Sequence, residues 1–342
     1  MLLPAGIRPC SFALKLYTMK AAIIFQRGEM PQYMENFPEP VPGNEDEVVI
    51  VVKAAAIKHL DKARASGKHY STKSDMHQAK VIGGDGVGTL ADGTRVFALG
   101  ISGMMAEKAL IEKSRMIPLP DGIDDATAAA LPNAVAGSAM ALRFKAAIKS
   151  GETILINGAT GFTGKIAVQV AKYYGAKKII ATGRNEKSLQ SLLRLGADEI
   201  ISIKHNDESF ISQIKEIHNN TPVDIIIDYL WGHSAELIIG ALKGKGAFTQ
   251  KTRFVSVGAV TGDTIQLSAE ILRSVDLQLS GSGLGSWTKE EMQQLFKEII
   301  PEILQLAADK KLQVETETVE LKDIEKLWNM EVPDGKRLVV TI

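Results

Sequence analysis

The 342-residue sequence predicts an α/β fold in which a doubly wound parallel sheet is inserted into a β-rich domain that the chain leaves and later rejoins. Three observations predict it. Between about residues 152 and 281, short apolar strands alternate with helices, the pattern of a parallel sheet covered on both faces. The region before residue 122 is rich in β-branched strands and turn signals, and the last residues, 337–342, form a strand of the same character. At about 150 residues per domain, the length suggests roughly two domains.

The elements follow in order. Residues 1–18 carry Arg8 and Lys15 but no acid, and Pro4, Gly6 and Pro9 break any apolar run. No small-residue cleavage site follows, so this segment is read as an extension outside the fold, with a targeting role as the alternative. Met19 opens a first strand over 20–25, and 47–53 is a second, β-branched throughout. Residues 86–90 and 95–98 read as a hairpin, because Asp92-Gly93 suits a tight turn that needs positive φ. From Asp124 an alanine-rich helical run extends to Leu142. Strands are then expected at 153–157, 178–182, 199–203, 223–228 and 253–258, and helices at 162–174, 186–195, 208–218 and 234–242. Gly196 stops the second of these helices. Helical segments around Pro301 and a strand near 313–319 precede the closing strand.

Composition excludes several function classes. Lys+Arg 40 balances Asp+Glu 40, so no global field draws the chain to nucleic acid or an anionic membrane. No run approaches the roughly 18 unbroken apolar residues of a membrane span. The single cysteine, Cys10, rules out an internal disulfide and a thiolate metal cluster, which fits a reducing compartment, most simply the cytoplasm.

One motif carries chemistry. Gly158-x-x-Gly161-x-x-Gly164 follows one expected strand and opens the next helix, the context in which such a pattern binds a dinucleotide. Glycines permit the tight turn, let amides approach a pyrophosphate and bring helix close to sheet. The helix N-terminus adds free N–H groups and a favourable dipole. The turn 157–164 thus supplies Asn157, Gly158, Thr160, Gly161, Phe162, Thr163 and Gly164 as cofactor residues. NAD sites place an acid about 20 residues on, to hold the ribose 2′-hydroxyl. Here that place reads Thr182, Gly183, Arg184, Asn185, with Lys187 nearby. An arginine fork and no acid indicate a 2′-phosphate, hence NADP(H).

The turn, the order of the regions, and the phrases Ile117-Pro-Leu-Pro-Asp-Gly122 and Ala128-Ala-Ala-Leu-Pro132 resemble the medium-chain dehydrogenase/reductase superfamily. The chain is most similar to its zinc-independent quinone oxidoreductase branch, from Met19 to the C-terminus. The resemblance implies a discontinuous GroES-like β-barrel catalytic domain (residues 19–129 and 288–342), a Rossmann domain (130–287) and a cleft between them. It also implies a homodimer joined along an edge strand, here 276–280. It places Asn133 and Ser138 near the cofactor, and the strand ends Asp228, Trp231 and Gly258 in the same crevice, with Lys336 completing it. Trp231 either stacks on the cofactor, walls off the substrate or packs in the core.

Relatives that bind zinc carry a cysteine where this chain has Lys58, and a Gly-His-Glu motif where it has Gly83-Gly84-Asp85. The four-cysteine lobe is missing too, so no metal is expected. His59, Asp61, His69 and His77 match no standard metal motif. This chain also departs from the quinone reductases: Lys58-His59 replaces an Asn-Pro, Ala63 stands where a tyrosine is common, and 88–96 is shorter. The candidate catalytic residues are therefore Tyr70, His59, Lys58 and Asp61, with Tyr70 either binding the substrate oxygen or packing at the rim. His59 either relays a proton or serves structurally, and Asp61 either fixes the backbone or does acid–base work. Without a metal, conjugate reduction is the accessible chemistry, because the developing charge spreads onto an enolate. A quinone or α,β-unsaturated carbonyl is the expected small-molecule substrate. An alcohol or aldehyde reductase without zinc, and an NADPH-binding sensor without turnover, are the alternatives.

Overall fold

Strand β8 (Thr153–Asn157) shows why the centre of the chain forms a two-sided sheet. Ile154 and Ile156 point into one apolar layer and Leu155 into the other, with all three buried. The computed structural model describes residues 17–69, 72, 78–204, 206–244, 246 and 248–342. Cys10, Tyr70 and His77 lie outside these residues.

The chain enters through β1 (Thr18–Ile24), β2 (Gln32–Pro38), β3 (Glu47–Ala56), helix α1 (His59–Ala65), β4 (Lys80–Val81), β5 (Asp85–Thr89), β6 (Arg95–Gly100) and β7 (Lys108–Pro118). Thr18, expected outside the fold, pairs with Pro38. Strands β3, β5, β6 and β7 pair antiparallel in sequence, and β7 returns to β3, so this part of the sheet closes on itself. Ile50, Val52, Val96, Met104 and Met105 fill it. The β5–β6 turn is the expected hairpin, with Gly93 at φ +88° and its N–H donating to the Leu90 carbonyl.

Helix α2 (Asp125–Met140) follows, capped by the Asp124 carboxylate, which accepts from Thr127 N at 2.8 Å. The helix packs against β3 and β5, and its buried alanines belong to an apolar cluster that also includes strands of the next sheet, so the division expected at 129/130 falls inside this helix. Then come β8, α3 (Phe162–Tyr173), β9 (Lys178–Gly183), α4 (Glu186–Arg194), β10 (Glu199–Ser202), α5 (Asp207–Asn220), β11 (Ile225–Asp228), α6 (Gly232–Ala241), β12 (Thr252–Ser256), α7 (Ala269–Ser274) and β13 (Leu277–Gly281). The strands lie in the order β10-β9-β8-β11-β12-β13, all parallel. Chain order reverses between β8 and β11, and ligands of such sheets bind outside the strand ends at that switch point. The last strands, β14 (Thr316–Glu320) and β15 (Arg337–Thr341), pair with each other, and β15 joins β3. The C-terminus thus completes the sheet that the N-terminal region began.

Candidate functional site

At the switch point, a buried polar network fastens three strand ends. Asn157 Nδ2 donates to Asp228 Oδ1 at 2.8 Å and to Ser234 Oγ at 3.0 Å, while Thr182 Oγ1 donates to Asn157 Oδ1 at 2.6 Å. Asp228 also accepts the Leu230 and Trp231 N–H groups, both at 3.0 Å. Burial pushes its carboxyl above the ordinary range, against those hydrogen bonds. Asn157, Thr182 and Asp228 therefore fix the three strand ends relative to one another.

Above this network the glycine-rich turn is tight on one side and open on the other. Gly158 has φ +83°, and a Cβ on Gly164 would lie 2.5 Å from Ala159 Cα. A side chain on Gly183 would strike Thr160 Cγ2, so β9 and the turn touch directly. Over Gly161 the nearest atom is 4.0 Å away, which leaves room for a ligand. Helices α4, α5 and α7 start with side-chain caps from Asn185, Asn206 and Ser268; α3 starts at Gly161 with none. Its first N–H groups keep their hydrogen-bonding capacity for an anion. This geometry fits a dinucleotide pyrophosphate.

The other expected cofactor residues divide. Arg184 is exposed beyond β9, with no hydrogen-bond or ion-pair partner among the described residues, and Lys187 pairs with Asp334 at 3.1 Å. The Asn185 side chain is taken by the α4 cap, accepting from Ser188 N at 2.9 Å. Ser138 is fully buried and donates to the Ala134 carbonyl within its own helix, whereas Asn133 is half-buried. Thr163 packs beside Gly137 of α2, and Gly258 brings its strand end against the Tyr229 carbonyl. Trp231 (φ +58°) sets its ring edge-on to Phe254 at 6.0 Å, in the layer packed by α5 and α6. Of the three readings of Trp231, this contact favours core packing. Lys336 is half-buried at the entry to β15.

In the barrel, the catalytic candidates form a closed cluster. Lys58, with its side chain 1% exposed, pairs with Asp61 at 3.2 Å and with Asp85. Asp61 also accepts the Lys58 and Gly84 N–H groups at 3.1 and 3.0 Å, so it fixes the backbone here. Burial pulls the Lys58 pKa down, but the two facing carboxylates outweigh it and hold it above the ordinary value. Burial pushes Asp85 up against the pull of Lys58. Lys58 was expected to offer a donor to the cleft; it is instead locked inside the protein, because two buried carboxylates demand a counter-charge. His59 faces outward, and partial desolvation, then Arg337 and Lys62, keep its pKa below the usual value.

Arg337 is the residue that sequence reasoning missed. It is buried, donates to the Ile57 carbonyl at 3.3 Å and lies 4.6 Å over the Phe162 ring at the start of α3. Burial brings its pKa down to about 10, against the attraction of Asp61 and Asp85. The available signal was a lone charge opening an apolar run, Arg337-Leu-Val-Val340. Lys58, Gly84 and this cation offer no zinc ligands, and no group of three His, Cys, Asp or Glu among the described residues is placed to hold a metal.

A family model described as "Zinc-binding dehydrogenase" matches residues 163–301, a range outside the Lys58–Asp85 cluster. Quinone oxidoreductase from Homo sapiens is 29% identical over 286 residues, covering 81% of this chain and 83% of that protein. The "Probable NADPH-dependent quinone reductase tdiC" of Emericella nidulans is 24% identical over 91% of this chain and 96% of its own. Among solved structures, the quinone oxidoreductase of Thermus thermophilus superposes with a TM-score of 0.75 at 23% identity, covering 95% of this chain and 100% of that one. In sequence the chain is thus similar to quinone oxidoreductases over most of its length, and it shares their fold: a closed β-region joined to a six-stranded parallel sheet.

Proposed function

We propose that the chain is an NADPH-dependent, zinc-independent oxidoreductase that reduces a quinone or an α,β-unsaturated carbonyl. The observation that carries this reading is the uncapped α3 terminus under open space at Gly161, beside an exposed Arg184 where an NAD site would place an acid. The names of the human and Emericella relatives support the acceptor class and the cofactor. NADPH supplies the hydride when bound. The α3 amides would hold the pyrophosphate, and Arg184 with Lys187 the 2′-phosphate. The domains are taken as residues 19–129 with 288–342, and 130–287. The barrel cluster orients the cleft wall that carries His59, and Tyr70 remains a candidate for the substrate oxygen.

Zinc independence is supported by the chemistry of Lys58 and Gly84, neither of which replaces the ligand it displaces. Dimerisation along β13 is supported by its place at the edge of the sheet, where unpaired backbone groups are presented. No helix among the described residues is long and apolar enough to cross a membrane, and a cytoplasmic setting is our reading of the single cysteine.

The test is NADPH oxidation against a panel of quinones, enones and aldehydes, with metal analysis of the same preparation. Quinone or enone turnover without stoichiometric zinc is expected. Tight NADPH binding with no acceptor reduced would overturn the enzyme reading, and a one-to-one zinc content would overturn the metal-free one. Arg184→Ala should weaken NADPH by about 10- to 100-fold, the range for losing a charged hydrogen-bond pair, and leave NADH nearly unchanged. Equal weakening of both would refute the role given to Arg184.

A further inference from the structure

One charge in the cofactor crevice comes from outside the parallel sheet and its helices. The turn Pro333–Gly335 precedes β15 and lies directly on the glycine-rich turn. Gly335 has φ +64°, and a side chain there would run into the Thr160 carbonyl oxygen. Lys165, buried on α3, holds this segment by donating to the Asp334 carbonyl at 2.5 Å while pairing with Glu315 at 2.6 Å. On the far side of the seam, Ser191 and Arg194 of α4 share a small cavity with Gly335. The segment is thus wedged between the two helices that flank the adenosine end of the expected cofactor path.

Asp334 takes φ +59°, a conformation uncommon for any residue but glycine. In it, the carboxylate reaches Lys187 Nζ at 3.1 Å. Lys187 sits in the first turn of α4, three residues after the exposed Arg184. The acid that β9 lacks is therefore present at this corner, delivered by a different part of the chain.

We propose that Asp334 is a specificity-determining residue, which neutralises Lys187 and opposes a 2′-phosphate, so that the preference for NADPH over NADH is smaller than Arg184 and Lys187 alone would give. This rests on the NADPH reading above. An exposed pair of this kind is weak, so a phosphate displaces it readily. Asp334 then faces the phosphate well inside the roughly 8 Å over which salt screens charges.

The experiment measures equilibrium binding of NADPH, NADH, 2′,5′-ADP and 5′-AMP to the full chain, to Asp334→Asn, to Lys187→Ala and to the double variant. Asparagine accepts the same backbone conformation, and the bond from Lys165 goes to the main chain, so the turn is retained. Asp334→Asn should bind NADPH and 2′,5′-ADP about three- to tenfold tighter, the effect of removing one nearby like charge in a solvated site. NADH and 5′-AMP should stay within about twofold on the same argument. The gain should shrink in the Lys187→Ala background and at high salt. Equal weakening of all four ligands would assign Asp334 to shaping the turn and overturn the proposal. So would unchanged binding in a protein that still prefers the 2′-phosphate. If the unaltered protein binds NADPH and NADH alike and Arg184→Ala changes neither, the cofactor reading fails first and this inference falls with it.

Discussion

At the glycine-rich turn, the first N–H groups of α3 meet no side-chain cap and Arg184 stands exposed, whereas in the barrel Lys58, Asp61 and Asp85 are buried against one another. Arg337 joins the two regions, lying near enough to the barrel carboxylates to feel their charge and 4.6 Å over Phe162 at the head of α3. One region leaves its polar capacity open for a ligand. The other uses its charges internally, so its contribution is to stability and shape. That difference predicts which property each substitution should damage.

The largest effect should come from Lys58→Met. Removing one partner of a buried ion cluster leaves the carboxylates uncompensated, a loss of about 3–5 kcal/mol in unfolding free energy by denaturant titration. NADPH affinity should stay within about twofold, since the cluster does not reach the turn's amides. The loss should depend on pH in a defined sense. Without the ammonium, Asp85 has a folded pKa above its unfolded one, because burial already pushes it up against the pull of Lys58. A raised carboxyl binds protons better in the folded state, so the variant recovers stability as pH falls through the carboxyl range and loses it as pH rises. A deficit that is constant from pH 4 to 8 would break the assignment of the cluster to buried charge balance.

Gly164→Ala should invert the pattern. The new Cβ would meet Ala159 Cα at 2.5 Å and the Gly158 carbonyl at 2.6 Å, both backbone atoms with little freedom to yield. Overpacking of this kind costs about 1–3 kcal/mol, and it displaces the amides that face the phosphates. NADPH binding should weaken more than about tenfold, well beyond what the Lys58 variant shows. If NADPH binding survives while stability drops, the turn is structural and the contrast with the barrel fails.

The turn was legible in the sequence because glycine spacing between a strand and a helix is a local pattern. Five strands and four helices around the parallel sheet were legible for the same reason, since an apolar β-branched run and a 3.6-residue period each belong to a short stretch of chain, whereas α7 was not anticipated and β13 was expected only from the resemblance. The barrel cluster was only half legible. Lys58 and Asp61 are neighbours in sequence, but Asp85 lies 24 residues beyond Asp61 and Arg337 more than 250 further on, brought in by β15 pairing with β3. Nothing local says that a lysine beside a histidine will be buried rather than offered to a substrate; the facing carboxylates decide it. Asp334 was hidden similarly, because its meeting with Lys187 depends on how the last turn crosses the glycine-rich one.

The smallest effect belongs to His59, the one barrel candidate that faces outward among the described residues. Partial desolvation, Arg337 and Lys62 hold its pKa below the usual value of about 6.5, so it is neutral at physiological pH. A neutral imidazole still donates one hydrogen bond, and on that basis His59→Gln should lower kcat by less than about tenfold, or 1.4 kcal/mol. NADPH affinity should not change. The pH profile sharpens the comparison. If His59 delivers a proton as imidazolium, the rate of the unaltered protein should rise as pH falls below about 6.5, and that limb should vanish in the Gln variant. A limb that persists would show that another group delivers the proton. A Gln variant that lost NADPH affinity instead would mean that the barrel wall and the cofactor turn act as one site.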